Sequence, residues 1–306
     1  MQTIIGSGGA IGVPLAKELN HYTGKVRLVS RNPVRVNDSD ELFPLDVTDY
    51  DRLNDAIAGS EVVYVTIGFK YDLKVWQDVW PAFMRAVIDS CVRNKSKLVF
   101  FDNVYMYGKQ VIPFMTEESV INPPSRKGEV RKTIHENIMN EINNGKLEAL
   151  IARSADFYGP FLRGSMLGEM VISNLLKNKA PMAFGNIDKI HTYTFTPDAG
   201  KAVAVLGNTP DAFGQVWHLP TTKDRLTNRQ WITLIAGELN KKSKIRVVPE
   251  WVVRAMGVFI PLMREFPEMM YQYESDYIFD SSKFERRFNI KATSPSAGVK
   301  MTLKQL

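Results

Sequence analysis

The chain has 306 residues, 44% of them hydrophobic, enough to fill one large α/β domain carrying a smaller second one. Lysine and arginine number 39 against 33 acids, a formal +6 scattered along the chain, which suits a phosphate-bearing cofactor or acidic substrate without requiring nucleic acid. No apolar run approaches the roughly 20 residues of a membrane span, Met1 leads almost directly into a strand with no room for a signal peptide, and a soluble cytoplasmic protein is expected.

The first elements are the most informative. TIIG reads as a short apolar strand, GSGGAIG as a glycine turn and the stretch from Ile11 to Leu19 as a helix. Gly6, Gly9 and Gly12 stand three apart, one for a sharp turn, one for backbone approach to a diphosphate and one for close helix packing. With Ala10 and Ile11 they place unsatisfied N–H groups and the positive end of the helix dipole at the turn, a dinucleotide site. Lys25 to Ser30 is the second strand, and Arg31 follows it where an NAD-selective site commonly offers an acid. An arginine there can accommodate the 2′-phosphate, so NADP is expected in preference to NAD; the competing reading is a solvated loop before Pro33. Leu42 to Leu45 is a third strand, Asp46 and Val47 stand where an adenine could be held, and Asp49 caps the next helix.

Glu61 to Phe69 is a nearly continuous apolar run, the mark of a strand covered on both faces, with Thr66 to Gly68 beside the cofactor. The helix from about Lys74 to Arg93 carries a stripe of Trp76, Val79, Trp80, Phe83, Val87 and Ile88, either core or the contact of a homodimer, and Pro81 predicts a kink. The single cysteine, Cys91, lies in this helix as a buried small side chain and excludes an intrachain disulfide. Lys97 to Phe101 is the fifth strand and runs into DNVYMYG. In KGEVRKTIHENIMNEI, Val130, Ile134, Ile138 and Ile142 face inward and Arg131 and Lys132 lie on the other face. Leu147 to Ala152 is the sixth strand and QVWHLP a further one. The alternation specifies a Rossmann-type doubly wound parallel sheet. It divides the chain into a dinucleotide-binding part, 1–160 with a return at about 195–220, and a smaller substrate-binding part, 161–194 and 221–306. The four histidines stand apart without ligand-spaced neighbours, so no metal site is expected.

Taken together, GSGGAIG, the Asp-Val at Asp46, the Tyr-Gly at Tyr107 and Gly108, FYGP at Phe157 to Pro160 and PDAGKAV from Pro197 resemble the extended short-chain dehydrogenase/reductase family, which includes nucleotide-sugar epimerases and dehydratases. The resemblance covers nearly the whole chain. It implies a Ser or Thr after strand five, and a Tyr four residues before a Lys on the next helix, where the tyrosinate moves the proton and the lysine holds the nicotinamide ribose. This chain keeps the lysine as Lys132 but has Gly128 in place of the tyrosine and Asn103 in place of the Ser or Thr. Tyr105 and Lys109 have the pair's spacing but sit in a loop, where residues four apart are not neighbours. Tyr105, leaving strand five toward the crevice, is the first candidate for the proton donor, with Asn103 able to hydrogen-bond a carbonyl or hydroxyl. Asp102, Tyr107 and Tyr158 are further candidates for the substrate pocket.

Three functions fit these residues. The first is an NAD(P)-dependent oxidoreductase or epimerase/dehydratase-like enzyme acting on a small carbonyl or sugar-like substrate. The second is a catalytically silent, NADP-sensing regulator of the NmrA-like kind, suggested by the missing Tyr and Ser. The third is an RNA-binding atypical member, for which no basic-aromatic strip is visible.

Overall fold

The computed structural model describes residues 1–160, 165–242, 244–258 and 261–305; the start of the expected second part at 161 lies outside the described residues. The leading strands and helices are β1 (Gln2–Ile5), α1 (Gly12–Leu19), β2 (Val26–Ser30), β3 (Glu41–Pro44), α2 (Tyr50–Ile57), β4 (Val62–Val65), α3 (Leu73–Asn94), β5 (Lys97–Asp102), α4 (Arg126–Asn143) and β6 (Ala149–Arg153). Next come β7 (Asp156–Tyr158), α5 (Ser173–Leu176), β8 (Met182–Phe184), β9 (Tyr193–Phe195), α6 (Thr196–Gly207) and β10 (Val216–His218). The chain closes with α7 (Asn228–Glu238), β11 (Arg246–Val248), α8 (Glu250–Met256), α9 (Pro261–Glu265), α10 (Ser282–Phe288) and α11 (Pro295–Leu303).

Seven of these strands form one parallel sheet in the order β10-β6-β5-β4-β1-β2-β3. β1 pairs β2 on one side and β4 on the other, Ile4 standing opposite both Leu28 and Tyr64. This is the point where strand order reverses and where open α/β sheets place ligands. Because successive strand residues point to opposite faces, Ile5, Val29, Val63 and Val65 pack with Trp80, Phe83, Ile134 and Ile138. Ile4, Leu28, Val62 and Tyr64 pack on the other face with Leu15, Leu19, Ala202 and Val203. Both faces are buried, which explains why β4 reads as an unbroken apolar run.

The sheet part of β4 is shorter than its apolar run. Thr66 still donates its N–H to Ile5 at 2.9 Å, but beyond it the chain swings against the first glycine of the turn and leaves the sheet. α3 runs continuously from Leu73 to Asn94 through Pro81, and its stripe of Trp76, Trp80, Phe83, Val87 and Ile88 is core of this same chain. Val79 stays half-buried. Cys91 is fully buried, and burial pushes its thiol up to about 12, so it is inert at neutral pH.

Outside the main sheet β7 pairs β9 and β8 pairs β11, each parallel. Tyr158, Tyr193, Phe195, Trp231 and Ile235 form a separate apolar cluster there with Leu167, Val171 and Val299. Among the described residues no helix is long and apolar enough to cross a membrane.

Candidate active site

Open α/β sheets bind ligands in a crevice outside the carboxyl ends of the strands where their order reverses, which here are the ends of β1 and β4 with β5 and β6 beside them. At the β1 end of this crevice the glycines have distinct geometry. Gly6 adopts φ 96°, and a Cβ there would stand 2.6 Å from the Ile67 backbone, so the turn needs a glycine on both counts. At Gly12 a Cβ would stand 2.6 Å from the Gly6 carbonyl oxygen and 2.7 Å from that of Ser7, which fixes how closely α1 approaches the strand. Gly9 donates its N–H to Gly6 at 3.2 Å, and Gly8 and Gly9 are exposed. Ala10 is half-buried and Ile11 is buried beneath the turn. Ser7 is 3% exposed and its buried Oγ has no hydrogen-bond partner, a polar atom left unpaired beneath the turn.

Arg31, just past β2, is exposed, and no protein atom hydrogen-bonds its guanidinium among the described residues. It faces Asp46, whose carboxyl is held below the usual range first by the Thr48 N–H, then by the Thr48 hydroxyl, with Arg31 adding to the effect. Val47 beside it is buried, Thr66 half-buried just past β4, and Gly68 exposed in the loop that follows.

The β5 end is built differently. Asp102 is completely buried between two arginines, with Arg131 Nη1 at 3.5 Å and Arg153 Nε at 3.8 Å, and neither of its oxygens has a hydrogen-bond partner. Burial raises its pKa and the two guanidinium groups only partly offset this. Arg131 corrects the sequence expectation. Instead of sharing the outer face with Lys132 it is 5% exposed, its guanidinium lying over Trp80 at 3.9 Å and Trp76 at 4.7 Å from the ring centroids. A planar cation can stack on indole while reaching a carboxylate, which makes this inward position tolerable.

Tyr107 is fully buried. Its hydroxyl accepts from Arg153 Nη1 at 2.8 Å and meets His218 Nε2 at 2.7 Å, while Arg153 Nη2 reaches His135 Nδ1 at 3.0 Å. Tyr158 is 4% exposed within the C-terminal apolar cluster, packed on Trp231 at 5.0 Å and Phe195 at 5.2 Å. Asp102, Tyr107 and Tyr158 are therefore interior residues, and the structure does not bring them to the crevice surface.

Tyr105 keeps part of its surface open and stacks on Trp76 at 5.9 Å. Its phenol is pushed up, first by burial and then by the Asp156 carboxylate, with the Tyr71 hydroxyl and Arg131 acting in the opposite sense. The depressed value required of a ready proton acceptor is absent, and the cation beside the ring is Arg131, not Lys132. Asn103 is half-buried; its Oδ1 accepts the Tyr105 N–H at 3.0 Å, which leaves its amide NH₂ without a protein partner among the described residues. Lys132 keeps 34% side-chain exposure and lies 3.9 Å from Glu129. Gly128 is enclosed: a Cβ there would meet the Tyr105 carbonyl oxygen and stand 2.5 Å from Pro123 Cβ. The helix presses on the loop after β5 too tightly for a side chain.

Lys127, one residue earlier, also turns inward. It pairs with Glu265 and, at 2.7 Å, with Glu268, and its ammonium lies 4.7 Å from the Tyr71 ring centroid. Asp156 and His191, 35 residues apart, meet at 2.9 Å. Neither pairing is legible from local spacing, and a histidine judged by its sequence neighbours alone carries no sign of its acid.

A parallel sheet with reversing strand order and a glycine turn after its first strand defines a Rossmann-type protein. Residues 3–219 match the family model described as the NAD dependent epimerase/dehydratase family, and the chain belongs to that family of enzymes. Similar solved structures include the DesIV double mutant, a dTDP-glucose 4,6-dehydratase from Streptomyces venezuelae with NAD and DAU bound. It has a TM-score of 0.78 at 16% identity, over 100% of this chain and 96% of that one. UDP-glucuronic acid 4-epimerase from Bacillus cereus, in complex with UDP-glucuronic acid and NAD, has a TM-score of 0.80 at 16% identity over 100% and 98%. Pal from Bacillus thuringiensis has 0.80 at 18% identity over 100% and 98%. At these identities the likeness is one of fold. No curated protein matches the chain in sequence.

Proposed function

We propose that the chain is an NAD(P)-dependent oxidoreductase or epimerase/dehydratase-like enzyme acting on a small carbonyl or sugar-like substrate, with NADP preferred over NAD. The observation that carries this reading is the turn after β1, where the exposed backbone of Gly8, the start of α1 and the unpartnered Ser7 Oγ offer donors to a diphosphate and the side-chain-free Gly9 leaves room for it. Gly6, Gly9, Ala10, Ile11 and Gly12 would hold that group, Asp46 and Val47 the adenine, and Thr66 and Gly68 the crevice wall. Lys132 would hold the nicotinamide ribose. The similar dehydratase and epimerase bind NAD; the preference for NADP rests on the unbonded Arg31 guanidinium, a partner for a 2′-phosphate.

When bound, the nicotinamide supplies a hydride donor or acceptor. With its pKa held up, Tyr105 keeps its proton at neutral pH and serves as an acid toward a carbonyl oxygen. The free Asn103 amide orients that oxygen. Asp102, Tyr107 and Tyr158 support the site from behind it.

One observation favours a second reading, a cofactor sensor without turnover: the enclosure of Gly128 excludes the proton-donating tyrosine that the family resemblance implies. Cofactor absorbance at 340 nm and product analysis together separate the two. The enzyme reading expects either NADPH consumption with an aldehyde or ketone, or conversion of a UDP- or dTDP-hexose in the presence of oxidised cofactor with no net change at 340 nm; tight cofactor binding with no product from any member of the panel selects the sensor.

A further inference from the structure

Asp156 stands where the chain leaves β6 beside the end of β5, Ser154 donating its N–H to the Asp102 carbonyl at 2.9 Å. Its carboxylate is held from behind. Oδ2 accepts from His191 Nε2 at 2.9 Å and from the Tyr273 hydroxyl at 3.2 Å, and the Asp156 N–H donates to the Tyr277 hydroxyl at 3.3 Å. His191 is itself fixed. It is 1% exposed and lies flat between Tyr273 and Tyr277, with centroids 5.0 and 4.3 Å away and interplanar angles of 11° and 5°. Its backbone bonds Leu226 and the Trp231 indole.

Among the described residues nothing bonds the front of the carboxylate. Oδ1 has no hydrogen-bond partner among the described residues and the side chain keeps 24% exposure. Tyr71 and Tyr105 keep partly exposed rings, and the Asp156 charge adds to burial in holding both phenols protonated. Among the described residues, Lys127, over the Tyr71 ring, is committed to Glu265 and Glu268, and Arg131 to Asp102 and the tryptophan stack. A fixed carboxylate that can only accept, with one oxygen unpartnered among the described residues, attracts a hydrogen-bond donor and repels an anion.

We infer that Asp156, positioned by His191, anchors the substrate through a donor group on a sugar-like ring, an ammonium above a hydroxyl, and excludes a carboxylate from that position. This rests on the reading of the crevice as a sugar-like substrate site. The test uses the full chain and three probes differing in one substituent: D-glucosamine, D-glucose and D-glucuronate, their binding followed by ligand-observed NMR at neutral pH. The expected order is amine, then neutral sugar, then acid, with about a tenfold span between the extremes. Asp156→Asn should level the three, and Asp156→Ser serves the same purpose if the amide variant fails to fold. Equal binding of the probes, absence of binding by all of them, or a preference that survives removal of the carboxylate would overturn the inference. A parallel NADPH titration keeps the two proposals apart. Loss of cofactor binding with the sugar preference intact would sink the enzyme reading and leave the Asp156 site standing.

Discussion

The two ends of the crevice are made by opposite means. At the β1–α1 turn the working surface is backbone, and side chains are excluded: Gly6 sits at φ 96° and Gly12 meets carbonyl oxygens that leave no space for a Cβ. At the β5–α4 end the structure is carried by long side chains folded inward, with Asp102 between Arg131 and Arg153 and a chain of contacts running on through Tyr107 to His218. A backbone site is specified by where side chains cannot be, and so it is written locally. A buried charge network is specified by partners that arrive from distant segments, and no local pattern announces it.

The largest expected effect breaks the backbone end outright. Gly6→Val combines a left-handed backbone with a clash against Ile67, and each of these costs on the order of 1–3 kcal/mol. Urea unfolding should show a loss of several kcal/mol together with lost cofactor binding; a variant as stable as wild type would contradict the turn geometry. At the other end, Tyr105→Phe should lower kcat about 10²–10⁴-fold while cofactor affinity is retained. Wild-type turnover in that variant, with hydride transfer rate-limiting, would remove Tyr105 from the chemistry.

A third experiment asks how far the buried network supports the fold. His135 has its pKa lowered to about 4, first by burial and then by Arg153. A histidine whose folded value lies below its unfolded one contributes stability that is full above about pH 6.5 and is lost as pH falls toward 4, here by at most about 3 kcal/mol. His218, also lowered by burial, acts in the same sense, and Asp102, raised by burial, acts in the opposite one. Urea midpoints between pH 7 and 4 should fall in the wild type and fall less in His135→Gln; parallel slopes would contradict the role given to His135. Gly128→Tyr is expected to cost about 1–3 kcal/mol by overpacking against Pro123 and the Tyr105 carbonyl, with no gain in turnover. A rise in kcat in that variant would show that the helix can move aside.

The same contrast explains what was legible in the sequence. The glycine spacing, the apolar run of β4 and the alternation in β2 announce a parallel doubly wound sheet, because each is set by neighbours within a few residues. The stripe on α3 was equally legible, although only packing decides that it faces this chain's own core. Arg131 was misplaced because helical periodicity assigns a charged residue to solvent, while a guanidinium stacked on Trp76 and Trp80 beside Asp102 can be buried. Asp156 and His191 were hidden for a related reason: the sheet brings together residues far apart in the chain, and each looks unremarked in its own segment.

The most direct measurement is a fluorescence titration of the wild-type chain with NADPH and NADH, repeated on Arg31→Ala and Gly9→Val. The account predicts tighter binding of NADPH in the wild type, with a charge-assisted bond of roughly 1.5–3 kcal/mol at stake. Arg31→Ala should erase the difference, and Gly9→Val should weaken both cofactors together. Equal affinities in the wild type would contradict the role of Arg31, and failure of either cofactor to bind would contradict the cofactor site itself.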